Sequence, residues 1–368
     1  MRRIIQFGTS RFLQAHADLF VHQARMAGQD IGPITVVKTT PGGDRAGRIA
    51  ALKSGRPYPV RIQGLESGRT IDDTVEVASI DCAYEAKNEW PDVMRCFAEE
   101  AEIAISNVGD LGYALLPEDE THDCAGGKAP AGFPAKLLAL LLARYRAGGR
   151  PLLFLPTELI ADNGRVLSGI IGDLARKTGQ GAPFQHWLAT AVTFADTLVD
   201  RIVAQPIEPI GAVAEPYALW AIRKGAFDFL EHRDVRLVDD LEPIARLKLH
   251  ILNLGHTLLA DVWMRRGAPS DELVRQAIDG TDDARQLMEI YWDEVLPGFA
   301  RRGMEEEARR YIGTTLERLR NPFLEHRLAD IAQSHTVKLQ RRLAAFIDWV
   351  RETDPGFAAP RLTKVLER

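Results

Sequence analysis

The chain has 368 residues, 46 Lys+Arg against 51 Asp+Glu for a net charge of −5, and 46% hydrophobic residues. This is an ordinary globular composition, long enough for about two domains, and its mildly acidic balance excludes nucleic acid as an expected partner. Three scattered cysteines (Cys82, Cys96, Cys124), no apolar signal core at the N-terminus and a longest apolar run of only 137–143, against the roughly 20 residues that span a bilayer, exclude a disulfide framework, a zinc motif and membrane insertion; the expectation is a cytoplasmic protein with reduced thiols.

In chain order, an apolar run at 4–7 ends at Gly8 and a helical pattern follows over 12–26. A second run at 34–37 ends in the turn-forming Pro41-Gly42-Gly43-Asp44, and alternation at 58–62 and 74–80 predicts paired strands. The rhythm then resumes with strand 103–106, helix 134–145, strand 152–155, helix 166–176 and strand 191–194. Strands without a polar face, alternating with helices, predict an α/β fold with a doubly wound, mostly parallel sheet over residues 1–205. Pro206, Pro209 and Gly211 read as a connector. Beyond it, helical period recurs at 218–230, 243–265, 271–278, 284–295, 305–318, 323–331 and 337–350. A mainly α-helical C-terminal domain is therefore expected over 206–368.

The strand ending at Gly8 runs through Thr9, Ser10, Arg11 and Phe12 into a helix, the arrangement that offers backbone N–H groups to a pyrophosphate. Ser10 stands where the second glycine of a full GxGxxG fingerprint would be, and a plain βα turn is the alternative reading. The second strand ends in Lys38 and Thr39, without the Asp or Glu that accepts a ribose 2′-OH. NAD and NADP both remain open, and Lys38 is compatible with a 2′-phosphate.

The most informative segment is 248–257, KLHILNLGHT. At roughly 100° per residue, Lys248, His256 and Asn253 fall at about 0°, 80° and 140° on one side of a helix, among Leu249, Leu252, Leu259 and Ala260. An apolar setting disfavours an ammonium, and a lysine held there is suited to exchanging a proton between an alcohol and a carbonyl. Asn253 and His256 are suited to hydrogen-bonding the same oxygen as charge develops. The bland alternative is a lysine that snorkels to water beside two satisfied core polars.

Lys248-x4-Asn253-x2-His256 is similar to the active-site motif of the polyol-specific long-chain dehydrogenases, or mannitol dehydrogenase family. Further ordered stretches resemble its uronate-reducing branch, that of the tagaturonate reductases or altronate oxidoreductases: QFGTSRFLQAH at 6–16, ISNVGDLGY at 105–113, FPAKLLALL at 133–141, LPTELIADNG at 155–164, FQHWL at 184–188, VTFADTLVDRIV at 192–203, VDDLEPIARLKLHILNLGHT at 238–257 and RNPFLEHRLADIAQSHTVKLQRRL at 320–343. The resemblance covers nearly the whole chain. It implies a Rossmann-type N-terminal domain, a mainly helical C-terminal domain, no catalytic metal, and hydride transfer between NAD(P) and a sugar acid or polyol. It gives Lys248 as general acid/base with Asn253 and His256 as oxyanion-binding partners. It adds Asn107 to the cofactor-binding residues Gly8, Thr9, Ser10, Arg11, Phe12, Lys38 and Thr39, and offers Asp200, Arg327 and Lys338 to the substrate.

The departures from the family pattern are informative too. Ser10 replaces a glycine, Gln14 an arginine, and Leu159 the alkoxide-binding asparagine of the polyol branch; Glu158-Leu159-Ile160 instead resembles the uronate branch. The chain is also shorter than is typical of that branch. Carboxylate recognition needs a cation, and Arg327, Lys338 and Arg342 are the candidates. The expected function is reduction of a keto-sugar acid of the tagaturonate or fructuronate type, by a monomer or small homo-oligomer. The alternatives are a dehydrogenase of an uncharged polyol and a non-catalytic nicotinamide-binding sensor.

Overall fold

The computed structural model describes residues 1–40, 46–120, 127–225, 227–267 and 269–367. The expected turn at Pro41-Gly42-Gly43-Asp44 and Cys124 lie outside them. The chain divides into two units, one of Met1–Arg61, Asp73–Ala214 and Ala218–Leu241, the other of Ile62–Asp72, Glu215–Tyr217 and Glu242–Arg368.

The first unit begins with β1 (Arg2–Phe7), α1 (Arg11–Gln14), α2 (Ala17–Met26), β2 (Ile31–Lys38) and α3 (Ala46–Lys53). The long strands β3 (Tyr58–Glu66) and β4 (Arg69–Val77) follow, their tip belonging to the second unit. Next come β5 (Ile80–Glu85), α4 (Trp90–Arg95), β6 (Ala101–Ser106), α5 (Phe133–Arg146), β7 (Leu152–Pro156), α6 (Asn163–Lys177), α7 (Ala182–Ala191) and β8 (Val192–Phe194). Six of these strands form a parallel sheet in the order β5-β2-β1-β6-β7-β8, which is Rossmann strand order with the β3–β4 excursion inserted before β5. The sheet is covered as its apolar strands require: β7 is buried throughout, and the Leu137–Leu142 side chains of α5 pack with Phe7, Phe97 and Phe154.

Two expectations are corrected here. The helix expected over 12–26 is two helices, because His16 between them leaves helical geometry (φ −129°, ψ −94°). Its buried ring bonds the Leu219 carbonyl (3.0 Å) and packs on Phe12, Phe20 and Trp220, while Arg201 donates to the Ala15 carbonyl at 2.7 Å. The first unit runs on past residue 205, to Leu241. Strands β9 (Thr197–Asp200), β10 (Val203–Pro206), β11 (Ala212–Ala214), β12 (Leu219–Arg223) and β13 (Val235–Val238) continue the first unit in two further sheets, β10-β11-β3-β4 and β13-β12-β9. The helix expected at 218–230 is in part β12, a short apolar run that periodicity cannot tell from a buried helix and that is settled by its pairing with β9 and β13.

The remainder of the second unit is helical: α8 (Glu242–Leu247), α9 (Leu254–Arg265), α10 (Val274–Ile278), α11 (Asp282–Ile290), α12 (Leu296–Arg301), α13 (Glu305–Leu319), α14 (Leu328–Ile331), α15 (His335–Leu339), α16 (Ala345–Arg351) and α17 (Pro360–Leu366). Three of its junctions are π-helical, at Lys248–Asn253, Tyr291–Val295 and Gln340–Ala344. Its core is aliphatic with Phe299, Phe346 and Trp349 at the centre. A fully buried ion pair, Arg318 Nη2 to Glu215 Oε1 at 2.7 Å and Nε to Oε2 at 3.0 Å, holds Glu215–Tyr217 within the unit, with the guanidinium over the Tyr217 ring. No helix among the described residues is long and apolar enough to cross a membrane.

Burial pushes the His250 imidazole down to about 4, and its contacts suit the neutral ring: Nδ1–H donates to the Arg342 carbonyl (3.1 Å) and Nε2 faces Arg246 (3.5 Å). Because the folded value lies below the unfolded one, this contribution is complete above pH 6.5 and is lost as pH falls toward 4. Urea unfolding at pH 7 and pH 5 is expected to show a loss for the native chain that is smaller by about 2 kcal/mol in His250→Asn, whose amide keeps the bond to Arg342 without titrating.

Candidate active site

The carboxyl ends of β1 and β6 form the point where the sheet's connections turn in opposite directions, the usual place for a ligand in such a sheet. β1 ends at Gly8, whose φ of +122° favours glycine and whose N–H donates to the Val37 carbonyl at 3.0 Å. A Cβ on Gly8 would lie 2.5 Å from the Asn107 carbonyl oxygen, and the Asn107 N–H donates to Phe7 at 2.9 Å. Gly8 and Asn107, both expected at the cofactor, are thus brought back to back. Thr9 and Ser10 are half-buried beside them; Ser10 caps α1 by accepting from the Leu13 N–H. Arg48 donates to the Thr9 carbonyl at 3.4 Å.

The Arg11 guanidinium is committed within the first unit, binding the carbonyls of Ile207 (2.7 Å) and Gly211 (2.8 Å) and the Glu208 carboxylate. Phe12 stacks on His16. At the end of β2, Lys38 pairs with Glu85, and Thr39 is half-buried next to it.

Glu158 was not among the expected site residues. It lies just past β7 and is 3% exposed, with Oε1 accepting from the Val108 N–H and Oε2 from Ser106 Oγ and Tyr113 OH, each at 3.0 Å. Asn107 Nδ2 reaches Thr157 Oγ1 at 3.1 Å, and Thr157 Oγ1 donates to the Ser106 carbonyl at 2.7 Å. This buried carboxylate, its pKa raised by desolvation, therefore gathers the Ser106 hydroxyl and the Val108 N–H on the two sides of Asn107. An acidic residue straight after an apolar strand was the available signal. Leu159, the residue in place of the polyol branch's asparagine, is exposed.

Asp200 ends β9 and is buried; its neighbour Arg201 supports the break between α1 and α2.

In the second unit, α8, the π-helical stretch and α9 run on as the expected helix from 242 to 265. The angular reading changes inside it. With bonds between residues five apart, Asn253 rather than Leu252 comes to lie over Lys248, which draws the pair closer than regular helical period predicts. Lys248 and Asn253 are half-buried and His256 is buried. The stretch is held open by Tyr291, whose hydroxyl donates to the Ile251 carbonyl at 2.7 Å. Gly255 makes room for it, since a Cβ there would lie 2.0 Å from that hydroxyl.

The third π stretch brings up Arg342, which donates to the Asn253 carbonyl (3.1 Å) and Thr257 Oγ1 (2.9 Å). His326, which sequence reasoning passed over, meets the His256 ring edge to face at 4.9 Å. Burial lowers its pKa, with Asp330 and Lys338 acting on it in opposite senses. Lys338 is half-buried, donates to the Ile331 carbonyl at 2.6 Å, and has its pKa lowered first by burial and then by Arg342. Arg327 stands at the N-terminal boundary of α14, without a side-chain capping bond, and is exposed. Of the three candidate cations, Lys338 and Arg342 thus group with the Asn253–His256 end of the helix. Among the described residues no three His, Cys, Asp or Glu side chains are placed to hold a metal ion.

Residues 2–232 match the family described as Mannitol dehydrogenase Rossmann domain. The altronate oxidoreductase of Halalkalibacterium halodurans is 29% identical over 95% of this chain and 71% of its own length. That of Yersinia pestis bv. Antiqua is 29% identical over 99% and 78%. Among solved structures, a D-sorbitol dehydrogenase in substrate-free form superimposes with a TM-score of 0.75 at 19% identity, over 95% of this chain and 76% of that one. The Pseudomonas fluorescens mannitol 2-dehydrogenase, solved as a ternary complex with NAD and D-mannitol, gives 0.73 at 19% identity over 99% and 77%. With a Rossmann-type sheet, a turn suited to a dinucleotide and these relatives, the chain belongs to the mannitol dehydrogenase family and is a nicotinamide-dependent oxidoreductase of CH–OH groups.

Proposed function

We propose that the chain interconverts a keto-sugar acid, of the tagaturonate or fructuronate type, and its aldonate, with NAD(P) and without a catalytic metal. The observation that carries this reading is the grouping of Lys248, Asn253 and His256 on one π-interrupted helix, with Arg342 and Lys338 packed at its Asn253–His256 end. The first three match an acid and two hydrogen-bond donors for a developing alkoxide; the cations match a substrate carboxylate. The altronate oxidoreductases among the relatives support the acidic substrate.

The residues at the carboxyl edge of the first unit fit a dinucleotide. Gly8, Thr9, Ser10 and the Arg11 backbone would face the pyrophosphate, Phe12 and Asn107 would flank it, and Lys38 and Thr39 would meet the adenosine ribose. A bound nicotinamide supplies the hydride that reduces the ketone carbon. Lys248 gives its proton to the ketone oxygen, Asn253 and His256 hold that oxygen as it becomes an alkoxide, and in the oxidative direction Lys248 takes the proton back. Arg342 keeps Asn253 in place through its carbonyl, and a cation at Lys338 or Arg342 orients the substrate through its carboxylate.

The test is loss of the reduced-nicotinamide absorbance with NADH and with NADPH against tagaturonate, fructuronate, fructose and tagatose. Turnover concentrated on the keto-uronates is expected; turnover only with the neutral ketoses would favour the polyol reading, to which the two solved dehydrogenases point by name. Lys248→Ala is expected to lower kcat by about 10²–10⁴ while cofactor affinity, measured by calorimetry, stays unchanged. Gly8→Ala, which sets a Cβ against the Asn107 carbonyl, is expected to weaken cofactor binding by about tenfold or more, ~1.4 kcal/mol.

A further inference from the structure

The π stretches at 248–253, 291–295 and 340–344 each end in a bond between residues five apart: the Leu254 N–H reaches the Leu249 carbonyl, the Leu296 N–H that of Tyr291, and the Ala345 N–H that of Gln340. They are also bonded to one another. Tyr291, which opens the second, donates its hydroxyl to the Ile251 carbonyl of the first at 2.7 Å. Arg342, inside the third, donates to the Asn253 carbonyl at 3.1 Å, and its own carbonyl accepts from His250 Nδ1 at 3.1 Å. The stretch that carries Lys248 and Asn253 thus receives side-chain donors from both of the others. The Tyr291 bond is the more deeply buried of the two: Tyr291 and Ile251 are both 0% exposed, so water does not replace a donor lost there. Burial pushes the hydroxyl well above its ordinary range, which keeps it a donor. A regular helix gives the carbonyl of residue 251 to the N–H of residue 255; here that carbonyl accepts from the Leu254 N–H and from Tyr291, whose hydroxyl occupies the space a Cβ on Gly255 would take, 2.0 Å away.

We infer that the Tyr291 hydroxyl is a positioning group for the reaction: by holding the Ile251 carbonyl out of regular helical register, it sets the angle between Lys248 and Asn253 and so the line along which the proton reaches the substrate oxygen. This role rests on the reading of Lys248 as the acid and Asn253 as its partner at that oxygen. In a regular helix two residues five apart stand about 140° round the axis from each other, too far to serve one atom together. The π stretch brings Asn253 over Lys248, and a displacement of an ångström at such a site costs about a hundredfold in rate. Tyr291 acts through the backbone alone, from 40 residues along the chain.

The test uses the whole chain with the substrate and nucleotide it turns over fastest. It measures kcat, KM and the solvent deuterium isotope effect, with nucleotide affinity by calorimetry and stability by urea unfolding. The variants are Tyr291→Phe, Gly255→Ala, the two combined, and Ile278→Val, which trims the same core at α10 and reports what general loosening does. Tyr291→Phe is expected to lower kcat about tenfold to a hundredfold, to leave KM and nucleotide affinity within a few-fold of native, and to enlarge the isotope effect as proton transfer slows. Ile278→Val is expected to keep native kcat. Gly255→Ala displaces the hydroxyl instead of deleting it, so its loss in kcat is expected to match that of Tyr291→Phe, and the combination to lose no more than either alone. Native kcat in Tyr291→Phe, an equal loss in Ile278→Val, or fully additive losses in the combination would overturn the inference alone. If Tyr291→Phe shows no cooperative unfolding, kcat in Gly255→Ala decides by the same criteria. Retained turnover in Lys248→Ala would overturn the reading of the lysine, and the inference with it.

Discussion

The first unit is organised around one close approach of backbone to backbone, where Gly8 at the end of β1 passes the Asn107 carbonyl at the end of β6. Parallel neighbours whose connections leave in opposite directions diverge at their carboxyl ends, and a ligand fits only if nothing fills the gap. Glycine removes the Cβ that would collide there and takes the positive φ of the turn. The surrounding groups then have defined tasks. Val37 receives the Gly8 N–H, Phe7 receives that of Asn107, and Glu158 collects donors from Ser106, Val108 and Tyr113, so that each of these donors has an acceptor within the protein.

The second unit solves a related problem with helices. A regular helix would spread Lys248, Asn253 and His256 over a wide arc, whereas the π stretch tightens the angle between the first two. A π stretch disturbs the regular carbonyl bonding of the helix; here Tyr291 supplies a donor to Ile251, through space that Gly255 leaves open, and Arg342 supplies one to Asn253. The glycine inside the helical motif is therefore a packing requirement of the tyrosine rather than a hinge.

Much of each unit's set of candidate residues was legible because its groups are close in sequence. Lys248, Asn253 and His256 share one helix, and Gly8 follows directly on an apolar strand, so local period and turn chemistry suffice to single them out. Glu158, His326 and Glu85 were passed over because each acquires meaning only from a distant partner: Glu158 from the loop around residue 108, His326 from the ring of His256, Glu85 from Lys38. Arg11 and Arg201 illustrate the converse. Both sit in motif-like stretches, yet their guanidinium groups bind main-chain carbonyls of the first unit.

By itself the sequence determined the alternating α/β character of the N-terminal part, the helical character beyond residue 242 and the helix that carries the lysine, since each is written in hydrophobic period over a dozen residues or fewer. Only the tertiary structure decided that β9 to β13 form strands, with 219–223 among them rather than in a helix, and so where the first unit ends. Short apolar runs such as 219–223 carry no period of their own, and a strand exists only where another strand offers it donors and acceptors. The same reason governs the end of β2: the charge of Lys38 was visible in the chain, but its pairing with Glu85 depends on β2 and β5 lying side by side in one register.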